Sequence, residues 1–174
     1  DAPPAGFPAK LLALLHARYL AGGAPLTIFP CELIPNNGSV LRDIVLDLAR
    51  GWELGRDFLA WVDQRCIWVN SLVDRIVSEA IEPAGAVAEP YAIWVVERQD
   101  GIVLPCVHPN IVITDRLEPY ERRKLFLLNL GHTFLAERWL NDKRGAGETV
   151  GQAMGDPLMR SQLEALWQEE VVPV

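Results

Sequence analysis

Apolar positions change period along the chain, and each change marks an element. Leu11, Leu12, Leu14, Leu15 and Leu20 recur at helical spacing and predict a helix over Phe7 to Ala21 with those leucines on one side. Gly22-Gly23 stops it. Leu26 to Ile34 is a short apolar run between Pro25 and Pro35, the pattern of a buried strand. Helix followed by strand predicts the tail of a doubly wound sheet. Asn37-Gly38-Ser39 opens a helix over Val40 to Ala49, with Asn37 or Ser39 as its cap. Phe58, Leu59 and Val62 predict another helix, and Ile67 to Val77 a strand and its exit. Ala80 to Ala88 is a small-residue stretch with Pro and Gly, which predicts a domain boundary and a division into residues 1–85 and 86–174. Tyr91 to Glu97 and Ile102 to Val107 predict two strands joined by a hairpin-type turn at Gln99-Asp100-Gly101. From Glu118 onward the pattern is helical. Asp156-Pro157 starts a second helix there, over Met159 to Glu170.

Composition narrows the classes. The chain has 174 residues, half of them hydrophobic, which is ample for a core. Net charge is −7, and no basic cluster extends beyond Arg122 to Lys124, so nucleic acid is not the expected partner. No apolar run is long enough to span a membrane, and the start lacks the basic and apolar regions of a signal peptide. The expected setting is cytoplasmic. Cys31, Cys66 and Cys106 are odd in number and widely spaced, which predicts reduced thiols. With His16, His108 or His132 they lack the close pairings of structural zinc sites, so no metal is expected. Gly145-Ala146-Gly147 and Gly151 superficially suggest a nucleotide-binding fingerprint. They follow a helix and have the wrong spacing, so a helix-to-helix turn is the better reading.

The chemistry concentrates in E-R-R-K-L-F-L-L-N-L-G-H-T, Glu121 to Thr133. No proline interrupts Glu121 to Asp142, and Leu125, Leu128 and Leu135 keep helical spacing. On an α-helix Asn129 lies about 140° round from Lys124 and His132 about 80° round, over a rise of about 12 Å. A lysine removed from water loses part of its preference for the ammonium form and can act as a general base. Gly131 lies between Lys124 and His132 on the wheel and is expected to leave room for an approaching group. From spacing alone, a surface lysine beside a buried, hydrogen-bonded Asn and His is the better reading, because amphipathic helices with such residues are common.

K-x4-N-x2-H on a helix resembles the catalytic signature of the polyol-specific long-chain dehydrogenases. P-C-E-L-I-P-N-N-G-S-V-L-R (Pro30 to Arg42), V-N-S-L-V-D-R-I-V (Val69 to Val77) and E-P-Y-A-I-W-V-V-E (Glu89 to Glu97) resemble further segments of that family, in the same order. The wording lies nearest the tagaturonate reductase (altronate oxidoreductase) branch. The resemblance implies the α/β end of a Rossmann-type cofactor domain followed by a mainly α-helical substrate domain. It implies hydride transfer between NAD and a secondary alcohol of a hexuronate or polyol. By the same resemblance, Lys124 is the general acid/base, and Asn129 and Asn37 hold the developing alkoxide. His132 and Asp74 bind substrate, and Asn37 and Asp74 also face the cofactor. Asn36 neighbours Asn37 and is the alternative amide. The chain begins without Met and carries no G-x-G-x-x-G, so it reads as a piece of a longer protein with most of the cofactor site outside it. The other branches, which act on mannitol, its phosphate or fructuronate, are alternatives. So is a non-catalytic helical interaction module.

Overall fold

The computed structural model describes residues 3–173. It divides into two compact units, Asp1–Leu117 and Glu118–Val174.

The first unit opens with α1 (Phe7–Leu20), closed by Gly22 at φ +70°. Only part of its leucine stripe is inward: Leu12 and Leu15 are buried, whereas Leu14 and Leu20 are exposed. β1 (Thr27–Ile28) is far shorter than the predicted strand, because the chain from Cys31 to Asn36 lies exposed outside any ladder. α2 (Asn37–Gly51) packs Leu41, Val45, Leu46 and Ala49 against α1. α3 (Arg56–Ala60) continues into a π turn over Trp61–Arg65 and leads to β2 (Ile67–Trp68), which pairs parallel with β1. β1, α2 and β2 thus make a βαβ unit. Phe58, 1% exposed, anchors this core, with the rings of His16 at 4.9 Å and Tyr19 at 5.3 Å.

The rest of this unit is sheet. β3 (Ser71–Asp74) pairs antiparallel with β6 (Ile93–Glu97), and β6 pairs parallel with β7 (Ile111–Thr114). Val95 and Val96 at its centre are fully buried. Two expectations fail here. The stretch 80–88 does not divide the chain: β4 (Val77–Ile81) and β5 (Gly85–Ala88) form a hairpin within the first unit. β6 is bound to β3 on one side and β7 on the other, which carries the division on to Leu117. No strand forms over 102–107 either, and Val103 and Val107 are exposed. The chain does turn at Gly101, at φ +75°, but the loop then runs on and returns in parallel as β7.

The second unit is helical. α4 (Glu118–Arg123) passes through a π turn, Lys124–Asn129, into α5 (Leu130–Asn141). α6 (Val150–Met154) is closed at its start by a Thr149/Gln152 capping box. α7 (Pro157–Leu166) starts where Asp156 Oδ1 accepts the N–H groups of Leu158 and Met159, and it runs into a last π turn, Trp167–Val171. Leu135, Ala153, Met159 and Leu163 form the core of this unit. Arg144 clasps Glu148 at 2.6 Å and Asp156 at 2.9 Å, pinning the turn that carries Gly145 and Gly147. Among the described residues no helix is long and apolar enough to cross a membrane.

Candidate active site

In the second unit the π turn changes the geometry that an α-helix would give. Leu130 N–H bonds back to the Leu125 carbonyl, five residues earlier. With i→i+5 closure each turn takes more residues than in an α-helix. This leaves Asn129 less far round from Lys124 than the about 140° of a regular α-helix. The Thr133 hydroxyl donates to the Asn129 carbonyl at 2.9 Å, occupying an acceptor in this irregular stretch. Lys124 and His132 are half-buried, and Asn129 is exposed. Gly131 leaves no room for a ligand: a Cβ there would meet the Trp167 ring at 3.0 Å, so its missing side chain admits the indole of the same unit.

In the first unit Asp74 lies at the end of β3, half-buried, on the wall of a cavity of about 580 Å3. Arg75 shares this wall, and its Nε donates to the Glu89 carbonyl at 3.1 Å. Trp94 from β6 also lines the cavity, and its indole N–H is buried without a hydrogen-bond partner. Cys31, Cys106, His108 and Asn110 complete the polar lining. The last three lie in the loop before β7 and were not legible in the sequence, because a long loop's return to a strand end leaves no local pattern. Burial and the neighbouring Glu32 carboxylate both push the Cys31 thiol up, burial more. All three cysteines are free thiols. Among the described residues no group of three or more His, Cys, Asp or Glu could hold a metal ion.

Asn37 is not on that cavity wall. It is 1% exposed and its amide is fully engaged. Its Nδ2 donates to the carbonyls of Pro30 (3.1 Å), Glu32 (3.1 Å) and Ser71 (2.9 Å). Its Oδ1 accepts from the N–H groups of Gly38 and Ser71, both at 2.9 Å. The donors expected to meet an alkoxide are therefore committed to the fold. Asn36 is exposed at φ 53° and makes no capping bond. The side chain that does meet the start of α2 comes from 31 residues downstream: Asn70 Oδ1 accepts from Ser39 N–H at 3.0 Å, and its Nδ2 donates to Glu97 at 2.8 Å.

A dinucleotide's pyrophosphate needs open backbone N–H groups at a glycine turn leading into a helix. α2, which follows β1, is sealed against it. A Cβ on Gly38 would lie 2.5 Å from the Val69 carbonyl, and the N–H groups of Gly38 and Ser39 are taken by Asn37 and Asn70. These residues do not form a pyrophosphate cradle.

Comparison with known proteins accounts for both units. The family model described as "Mannitol dehydrogenase Rossmann domain" matches residues 3–103. The one described as "Mannitol dehydrogenase C-terminal domain" matches residues 116–174, beginning close to the structural division after Leu117. Altronate oxidoreductase from Pectobacterium atrosepticum is 34% identical over 197 aligned residues, which take in 100% of this chain and 40% of that protein. Altronate oxidoreductase from Escherichia coli O1:K1 / APEC gives the same identity and coverage. The chain thus spans 40% of the length of these curated relatives. Pseudomonas fluorescens mannitol 2-dehydrogenase, solved as a ternary complex with NAD and D-mannitol, superposes with a TM-score of 0.72 at 26% identity, over 98% of this chain and 37% of that one. A substrate-free D-sorbitol dehydrogenase shares the fold, with a TM-score of 0.75 at 23% identity, over 98% of this chain and 37% of the other. The fold is a Rossmann-type domain followed by a helical C-terminal domain, and the chain belongs to the mannitol dehydrogenase family.

Proposed function

We propose that the protein is a nicotinamide-dependent oxidoreductase that interconverts a secondary alcohol and a ketone on a sugar acid, with altronate and tagaturonate as the pair. The observation that carries this reading is the Lys124, Asn129 and His132 set on one π-containing helix, in a chain 34% identical along its whole length to altronate oxidoreductases. Bound NAD would supply the hydride acceptor. Its pyrophosphate is held elsewhere than at the start of α2, which is sealed.

The chain's own residues then divide the work. Lys124 takes the hydroxyl proton during oxidation and returns it during reduction, which asks of it the contribution usual for a general acid–base group. Asn129, on the same helical stretch as Lys124, offers uncharged N–H donors to the oxygen on which charge develops. His132 binds a substrate hydroxyl. Asp74, on the wall of the first unit's cavity, is the carboxylate offered there to a hydroxyl-bearing ligand. Identity to altronate oxidoreductase over the full chain favours the sugar-acid branch over the neutral polyols. The test is NADH oxidation by the complete protein with tagaturonate, fructuronate, fructose and fructose 6-phosphate. The highest kcat/KM is expected with tagaturonate. A preference for fructose would move the protein to the polyol branch, and no turnover with any of the four would return the helix to a binding role.

A further inference from the structure

We propose that Asn37 and Ser71 form a buried clasp that positions the Cys31 wall of the first unit's cavity against β3, and that neither side chain touches substrate. An amide has two N–H donors and one carbonyl oxygen. In Asn37 the two hydrogens serve three backbone carbonyls, one of them necessarily shared, and the oxygen serves two backbone N–H groups. Nothing remains for a ligand.

The partners show what the side chain holds. The Pro30 and Glu32 carbonyls bracket Cys31, which lines the cavity. Ser71 is the first residue of β3, whose last residue, Asp74, lines the same cavity. Ser71 is 6% exposed, and its hydroxyl donates to the Pro30 carbonyl at 2.8 Å, so that oxygen is gripped by both side chains. The chain from Cys31 to Asn36 is exposed. Its distance from β3 therefore depends on a few buried polar bonds, each of which is costly to leave unmade.

This rests on the reading that the cavity takes part in substrate binding, and the test separates the two. In the complete protein, Cys31 is labelled with N-ethylmaleimide and followed by peptide mass mapping, with Cys106 as internal reference. Kinetics are measured in parallel on Asn37→Asp, Ser71→Ala and Asp74→Asn. Asn37→Asp keeps an acceptor for the N–H groups of Gly38 and Ser71 but turns an anionic oxygen on three carbonyls. Ser71→Ala removes one hydroxyl and is the milder change. The clasp predicts several-fold faster labelling of Cys31 relative to Cys106 in both clasp variants, with KM raised more than kcat is lowered. An unchanged Cys31 rate in Ser71→Ala, with Asn37→Asp acting on kcat alone, would overturn it and restore Asn37 as a direct donor. If Asn37→Asp does not fold, Ser71→Ala carries both readouts. If Cys31 labels faster in the clasp variants but they and Asp74→Asn retain wild-type kinetics, the clasp stands and the cavity leaves the substrate site.

Discussion

At the scale of single residues, position in the fold decides what a side chain is free to do. Asn37 and Asn129 carry the same amide; one is saturated inside the first unit and the other is exposed on a helix. Lys124→Ala in the complete protein should lower turnover by about 10² to 10⁴, the usual worth of a general acid–base group, with cofactor affinity little changed. Near-normal turnover across the working pH range would leave Lys124 a structural residue. Gly38 makes the opposite kind of demand. Alanine would improve helix propensity by about 1 kcal/mol. Its Cβ, however, would sit 2.5 Å from the backbone of Val69, which cannot swing aside as a side-chain tip can. Overpacking of this kind costs about 1–3 kcal/mol. Gly38→Ala should therefore lower the melting temperature, and a rise would mean that α2 slides easily against β2.

Among the elements, the turn between α5 and α6 is held by charge. Arg144 bonds both Glu148 and Asp156, and these side chains are 23%, 17% and 33% exposed. Hydrogen bonds from Arg144 are the main cause that holds both carboxyls below their usual range, while the guanidinium is pushed further up. Groups with depressed folded-state pKa stabilise above their unfolded values and lose that contribution as pH falls through the folded ones. The melting-temperature difference between the native protein and Arg144→Ala should be widest at neutral pH. It should close as pH drops below the ordinary carboxylate range of about 4. A difference that grows in acid would contradict the assignment. The π turn acts on the same scale, since i→i+5 closure alters the angle between Lys124 and Asn129 round the helix without changing a residue.

For the chain as a whole, the expected consequence concerns the cofactor. No glycine fingerprint occurs in the 174 residues, and the start of α2 is sealed by Gly38, Asn37 and Asn70. The 174-residue chain by itself should bind NADH weakly or not at all in calorimetry. Low-micromolar binding would reveal a phosphate site that neither the motif nor the helix start provides.

The sequence by itself determined the helices with long apolar repeats, the Asp156-Pro157 start of α7, and the residues whose order carries the family resemblance. Periodicity and capping are local properties, and the motif segments are contiguous. Tertiary structure decided the rest because it depends on contacts between distant segments. Asn70 reaches α2 from 31 residues away, and Asn37 reaches Ser71 from 34. The stretch 80–88 is rich in small residues, yet it pairs as a hairpin inside one unit. Gly131 offered space on the helical wheel, and Trp167 fills it. Local composition states which conformations a segment can adopt. Hydrogen bonds and packing with partners remote in the chain select among them, and at Asn37 that selection set a buried clasp where sequence resemblance had implied a catalytic donor.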